Sequence, residues 1–236
     1  MEDQRVLDIG GILSETANLV SACAREVALF TFLIGGVTGL GIALTLTGSS
    51  IMQFEMGMAT DYSRGAMGAA FDIFVSLLSF VAGFFLMRRY LEANGRPVGT
   101  GDRLWSYVGL AILSVLGYIA GLILLIVPGI ILMVRWSAAS GFLISGEKGI
   151  TESLGASFEA TKGNSWQIFF AGLILLLGLG IIGAVLGGVF GVLSLTAVAY
   201  LSAFLEAFSN AISLAFGIAV YLLLTDGNEE VRDVFS

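Results

Sequence analysis

The chain has 236 residues, of which 57% are hydrophobic and 12% charged, with a formal charge of −7 and a mean hydropathy of +0.95. A soluble domain carries about 25% charged residues, so too few polar side chains remain to cover a water-exposed surface, and lipid is the expected solvent for much of the chain. The acidic balance excludes a nucleic-acid partner and a polybasic lipid-binding patch.

The first segment, residues 1–26, opens on Met1-Glu2-Asp3, acidic where a cleavable leader would be basic, so the first spanning helix is expected to serve as the insertion signal. Ile9, Ile12, Leu13, Leu19, Val20 and Cys23 can share one helical face, away from Glu15, Asn18, Ser21 and Arg25. This pattern predicts an interfacial amphipathic helix, with a frayed tail as the alternative.

Six apolar stretches follow, at about 27–47, 69–90, 105–127, 129–146, 165–190 and 196–225, each near the ~20 residues that cross a bilayer. The expected fold is therefore all-α, a single six-helix transmembrane bundle. Val127-Pro128-Gly129 reads as the turn between the third and fourth spans, with proline opening the new helix where its missing N–H is harmless. No other helix break is expected. A weak boundary near Gly191–Ser194 separates the last two spans. Between the fourth and fifth, residues 150–161 read as a short cytoplasmic amphipathic helix, with Ile150, Leu154 and Phe158 on one face and Glu152 and Glu159 on the other.

Charge placement tests the span count. With the N-terminus cytoplasmic, Arg5, Arg25, Arg88, Arg89, Arg96, Arg103, Lys148, Lys162 and Arg232 fall inside and only Arg64 outside. That asymmetry is the one the positive-inside rule requires, and it puts both termini in the cytoplasm.

There is no histidine and a single cysteine, Cys23. Ser-His and Cys-His nucleophile pairs are thereby excluded, as is the commonest metal ligand. Asp61 falls in a loop and Asp72 at a helix end, so no membrane-embedded aspartyl dyad forms. The chain reads as a non-enzyme without cofactor or metal. Met52, Met56, Met58 and Met67 fit thioether side chains dipping into the interface better than a Cu(I) site.

Two charges fall at depth. Arg135 lies roughly 9 Å along the fourth span from Gly129 at 1.5 Å per residue, and Glu206 lies within the sixth. A charge near the bilayer centre needs a partner or water, and similar depth suggests an Arg135–Glu206 ion pair. Ser202, Glu206, Ser209, Asn210 and Ser213 recur at three- and four-residue spacing, a polar stripe on one helix. It reads either as a hydrophilic path or ligand site, or as structural glue that fixes helix register. Gly183, Gly187 and Gly191, and Gly117 with Gly121, repeat every four residues and suit close helix packing. Packing within the chain, with Pro128 and Gly129 at the turn, is the expected use; a homo-oligomer or membrane-protein interface is the alternative.

Residues 127–166 read VPGIILMVRWSAASGFLISGEKGITESLGASFEATKGNSW. The Pro-Gly turn, Arg135, Glu147 with Gly149, Ala156-Ser157 and Lys162-Gly163-Asn164 resemble the membrane domain attached to some bacterial glycerophosphoryl diester phosphodiesterases, and the related YciC-like integral membrane proteins. The opening Leu7-Asp8-Ile9-Gly10-Gly11-Ile12-Leu13 is similar to that family's first helix. The resemblance implies a six-span protein of the bacterial inner membrane. It implies no phosphodiesterase activity, because the catalytic barrel has no counterpart here. The leading expectation is a protein that binds or helps move a lipid or amphiphile within the bundle. A membrane scaffold or regulatory subunit is the alternative, and an ion-coupled transporter a third.

Overall fold

The computed structural model describes residues 7–47, 65–99, 103–146, 148–192 and 194–234, and every regular element among them is a helix. In chain order these are α1 (Ile9–Ala22), α2 (Ala24–Ala43), α3 (Gly65–Ala93), α4 (Arg103–Leu124), α5 (Ile126–Arg135), α6 (Ala139–Ile144), α7 (Ile150–Ala160), α8 (Ser165–Gly191) and α9 (Leu195–Val234). Met52, Met56, Met58, Asp61, Arg64 and Glu147 lie outside the described residues.

Six helical segments are long and apolar enough to cross a membrane: Ala24–Ala43, Gly65–Ala93, Arg103–Ile123, Ile126–Ile144, Ser165–Gly191 and Thr196–Asp226. This is the architecture of a multi-pass membrane protein. Two details depart from the sequence expectation. The third and fourth spans part at Leu125, three residues before Pro128, which sits inside the first turn of α5. Proline is tolerated there because the first amides of a helix have no intrahelical acceptor. The fourth span is also broken internally, at Trp136–Ala138 between α5 and α6.

The chain divides into two compact units. One comprises the chain up to Cys23, Met87–Leu175 and the chain from Ser213 onward. In it, Asp8 caps α1 by accepting a hydrogen bond from the Gly11 amide at 3.1 Å. Ile12, Thr16, Leu19 and Cys23 are buried at three- and four-residue spacing, so one face of α1 belongs to the core. Leu110, Ala139, Leu143 and Leu154 form a cluster that joins α4, α6 and α7, flanked by Tyr107, Trp136 and Ile150. Helix α5 folds back closely on α4: a Cβ on Gly121 would stand 3.0 Å from the Gly129 Cα, so neither position has room for a side chain. Phe142 of α6 meets Tyr221 of α9 edge to face, with centroids 4.9 Å apart.

Loop chemistry ties this unit together. Arg103 donates to the carbonyls of Leu143 at 3.0 Å and Lys148 at 2.6 Å and to that of Gly146, so the segment after α6 is wrapped around one guanidinium. Arg96 pairs with Asp226 and reaches Thr225 Oγ1 at 3.3 Å. Between α7 and α8, Gly163 adopts φ +84°, a left-handed conformation that glycine reaches without a Cβ penalty. The next residue, buried Asn164, accepts the Leu7 amide on its Oδ1 at 2.8 Å and so anchors the start of α1.

The other unit comprises Ala24–Leu86 and Leu176–Ile212. Here α2 lies directly on α9: a Cβ on Gly35 would stand 2.7 Å from the Phe204 ring, and on Gly39 3.1 Å from that of Tyr200. In α9, Ala199, Ala203, Ala207 and Ala211 are all buried, a four-residue alanine repeat that permits such close approach. Large aliphatic and aromatic side chains cover the outside, including Leu29, Phe32, Phe74, Leu77, Ile181 and Val185. In a chain of these helices that surface meets lipid. No residue of α8 past Ala171 is buried.

Candidate functional site

Arg135 ends α5 and is half-buried. Its Nη1 donates to the Phe158 carbonyl of α7 at 2.9 Å, and the guanidinium lies over the Phe158 ring, 4.7 Å from its centroid. The exchange runs in both directions. Ser157 Oγ, wholly buried, donates to the Arg135 carbonyl at 2.7 Å, and Thr161 Oγ1 approaches the same oxygen at 3.4 Å while donating to the Ser157 carbonyl at 2.8 Å.

The chain's local structure explains this clasp. A helix leaves its last four carbonyls without intrahelical donors and carries partial negative charge at that end. α5 ends at Arg135 and α7 at Ala160, so two such ends meet. The Arg135 guanidinium serves the end of α7, and the Ser157 hydroxyl satisfies the α5 carbonyl freed by the break at Trp136–Ala138. One donor remains over: Arg135 Nε is enclosed and has no acceptor among the described residues.

Glu206, Ser202, Ser209 and Asn210 belong to the second unit, on α9. Ser202 is half-buried and spends its hydroxyl on the Ala199 carbonyl of its own helix at 2.8 Å. Ser209 is half-buried; Glu206, Asn210 and, beyond the unit boundary, Ser213 are exposed. Neither the Glu206 carboxyl nor the Asn210 carboxamide has a hydrogen-bond or ion-pair partner among the described residues. Glu206 is eleven residues past Leu195, about 16 Å along the helix and well inside the spanning segment Thr196–Asp226. The two side chains are one turn apart and present an acceptor next to a mixed donor and acceptor.

The candidate packing glycines divide by location. A Cβ on Gly117 would enter the Trp136 ring, and Gly121 and Gly129 meet each other across the α4–α5 turn. Gly183 and Gly187 have nothing within 4 Å, and Gly191 only Val198 at 3.8 Å. Met67 is exposed at the start of α3. Among the described residues no three histidine, cysteine, aspartate or glutamate side chains cluster as a metal site would require.

Sequence reading missed the hydroxyl partners of Arg135 and the anchoring role of Asn164. Ser153 and Ser157 on α7 and Thr161 at its C-cap recur at four-residue spacing, and all three are buried. A polar stripe on a helix otherwise given an apolar inner face was the available signal.

Compared with protein families, curated proteins and solved structures, the chain matches none.

Proposed function

We propose that this protein is a non-enzymatic membrane protein that binds a lipid or another amphiphile, or assists its movement, along the polar stripe of α9. The observation that carries this reading is the unpartnered pair Glu206 and Asn210, exposed well inside a helical segment apolar enough to cross a membrane. An acidic side chain at the centre of a spanning helix costs about 2.5–3.5 kcal/mol on insertion scales. Retaining one without an internal partner is uneconomical unless something polar meets it. An amphiphile brings a hydrogen-bonding or charged head on an apolar body, matching a carboxyl and a carboxamide set in aliphatic surface. Ser202 and Ser209 flank the pair.

The resemblance to membrane domains of glycerophosphoryl diester phosphodiesterases, enzymes of lipid-derived substrates, supports the reading by analogy. Placement in a bacterial inner membrane with cytoplasmic termini belongs to the same proposal, supported by the distribution of basic residues. Residues 150–160 and the N-terminal helix then lie at the cytoplasmic face.

The test is native mass spectrometry of the protein extracted in mild detergent, comparing wild type with Glu206→Gln and Asn210→Ala. A lipid retained by wild type and lost in both variants is expected. Equal adduct patterns in all three would remove α9 from consideration.

A second reading, a membrane scaffold or regulatory subunit, is favoured by the Arg135 clasp. A cation at the end of one helix spent on the end of another fixes helix register, which a scaffold requires as much as a lipid carrier does.

A further inference from the structure

The α4–α5 turn differs from an ordinary extramembrane turn. From Ile119 to Val134 the chain carries no polar side chain, and the reversal of direction at Leu125 falls in the middle of that run. The turn does not hide its side chains within the protein: Ile123 is 80% exposed, Leu125 and Ile126 69% each, and Val127 64%. These four continue, without a polar gap, the exposed surface made by Ile112, Leu116 and Ile119 on α4 and by Ile130 and Ile131 on α5. In water such a tip would be a contiguous apolar patch on a loop, where turns ordinarily carry Gly, Asn, Asp or Ser.

Length agrees. α4 has 22 residues, about 33 Å at 1.5 Å per residue, and a span tilted by a typical ~20° advances about 31 Å along the membrane normal. With Arg103 and exposed Trp105 at the near interface, Leu124 arrives at the far edge of a ~30 Å hydrocarbon core and not beyond it.

The backbone agrees as well. The Leu125 amide donates to the Gly121 carbonyl at 3.1 Å and the Gly129 amide to that of Leu125 at 3.5 Å. No side chain caps α5, and Pro128 removes one of the amides that a helix start leaves open. What remains open, the first amides of α5 and the last carbonyls of α4, is met at the edge of the hydrocarbon, where lipid ester carbonyls accept and interfacial water donates.

We propose that the α4–α5 turn is seated in the bilayer, its aliphatic side chains among the acyl chains and its open amides at the ester-carbonyl level. The occupant of this exposed apolar surface is lipid. The two helices thus form a hairpin anchored from one face, while the odd-even order of the remaining spans is unchanged. The inference is independent of any ligand at α9.

Single cysteines at Leu125, Ile126 and Val127, in a Cys23→Ala background, test it in purified protein reconstituted in phosphatidylcholine liposomes. A membrane-impermeant sulfonated maleimide is loaded on both sides by freeze–thaw, so orientation does not enter. Glu159→Cys, on the exposed side of α7, is the water-accessible control. Labelling at the three turn positions is expected to be at least roughly tenfold slower than at Glu159→Cys, and to become complete in SDS, because a charged reagent does not enter the hydrocarbon. A bimane attached at Ile126→Cys should be quenched by nitroxide lipids and not by aqueous iodide. Labelling at the control rate, or quenching by iodide, would overturn the proposal; the three separate positions keep it testable if one variant folds poorly.

Discussion

Replacing Arg135 by methionine tests the clasp most directly, because methionine keeps an unbranched stem and removes only the guanidinium. The loss comprises one charge-assisted hydrogen bond to the Phe158 carbonyl, worth about 1.5–3 kcal/mol, and a cation–ring contact worth about 0.5–1 kcal/mol. One feature pulls the total downward: the enclosed Nε without an acceptor is removed as well. The expected net destabilisation is about 2 kcal/mol. Phe158→Leu keeps the backbone acceptor and loses the ring, so the Arg135→Met/Phe158→Leu double-mutant cycle isolates the ring contact, with an expected coupling of about 0.5–1 kcal/mol. Unfolding in mixed micelles by increasing SDS, followed by tryptophan emission, reads both, since Trp136 stands next to the clasp against the Leu110–Leu143 cluster. A change under about 0.5 kcal/mol for Arg135→Met, with no coupling to Phe158, would refute the assignment.

Two further outcomes follow from the packing. Asn164→Ala removes the buried acceptor of the Leu7 amide and should cost about 1–3 kcal/mol, with hydrogen exchange in α1 accelerated more than in α8; uniform acceleration would contradict a local anchor. Gly141→Ala drives a methyl into buried Tyr221 and should destabilise by about 1–3 kcal/mol, while Gly183→Ala, with open space around it, should be neutral or slightly stabilising through helix propensity, within about 1 kcal/mol; equal thermal shifts for the two would contradict the packing.

The six spans were legible in the sequence because hydropathy over some twenty residues reports the solvent, and lipid imposes that length on every crossing. The same averaging hid the break at Trp136–Ala138, since three residues barely change the mean of a window. Proline misled by three residues: Val127-Pro128-Gly129 resembles a turn, yet proline is equally at home just inside a helix start, and the reversal falls at Leu125. At the candidate site, the need of Arg135 for a partner was readable but its partners were not, because Ser157 and Phe158 are more than twenty residues away and meet it only through the fold. The spacing of Glu206 and Asn210 placed them on one stripe; which members of the stripe face outward depends on the alanine repeat of α9, whose packing partner α2 is distant in sequence.

The polar groups of this protein thus fall into two kinds with different physical signatures. Asn164, Ser157, Arg103 and Arg135 are each joined to a backbone group that a turn or helix end had left open. Their presence follows from the cost of burying an unmet donor or acceptor, and no ligand is needed to account for them. Glu206 and Asn210 do no such work: they satisfy no helix end, loop carbonyl or opposite charge among the described residues, and they stand on a surface where leucine would be more stable. Replacing the first kind should lower stability, whereas Glu206→Leu should leave it unchanged or raise it. A residue whose removal stabilises the fold is retained for something other than folding, and this separation is why α9, and not the deeper-seeming arginine, carries the functional proposal.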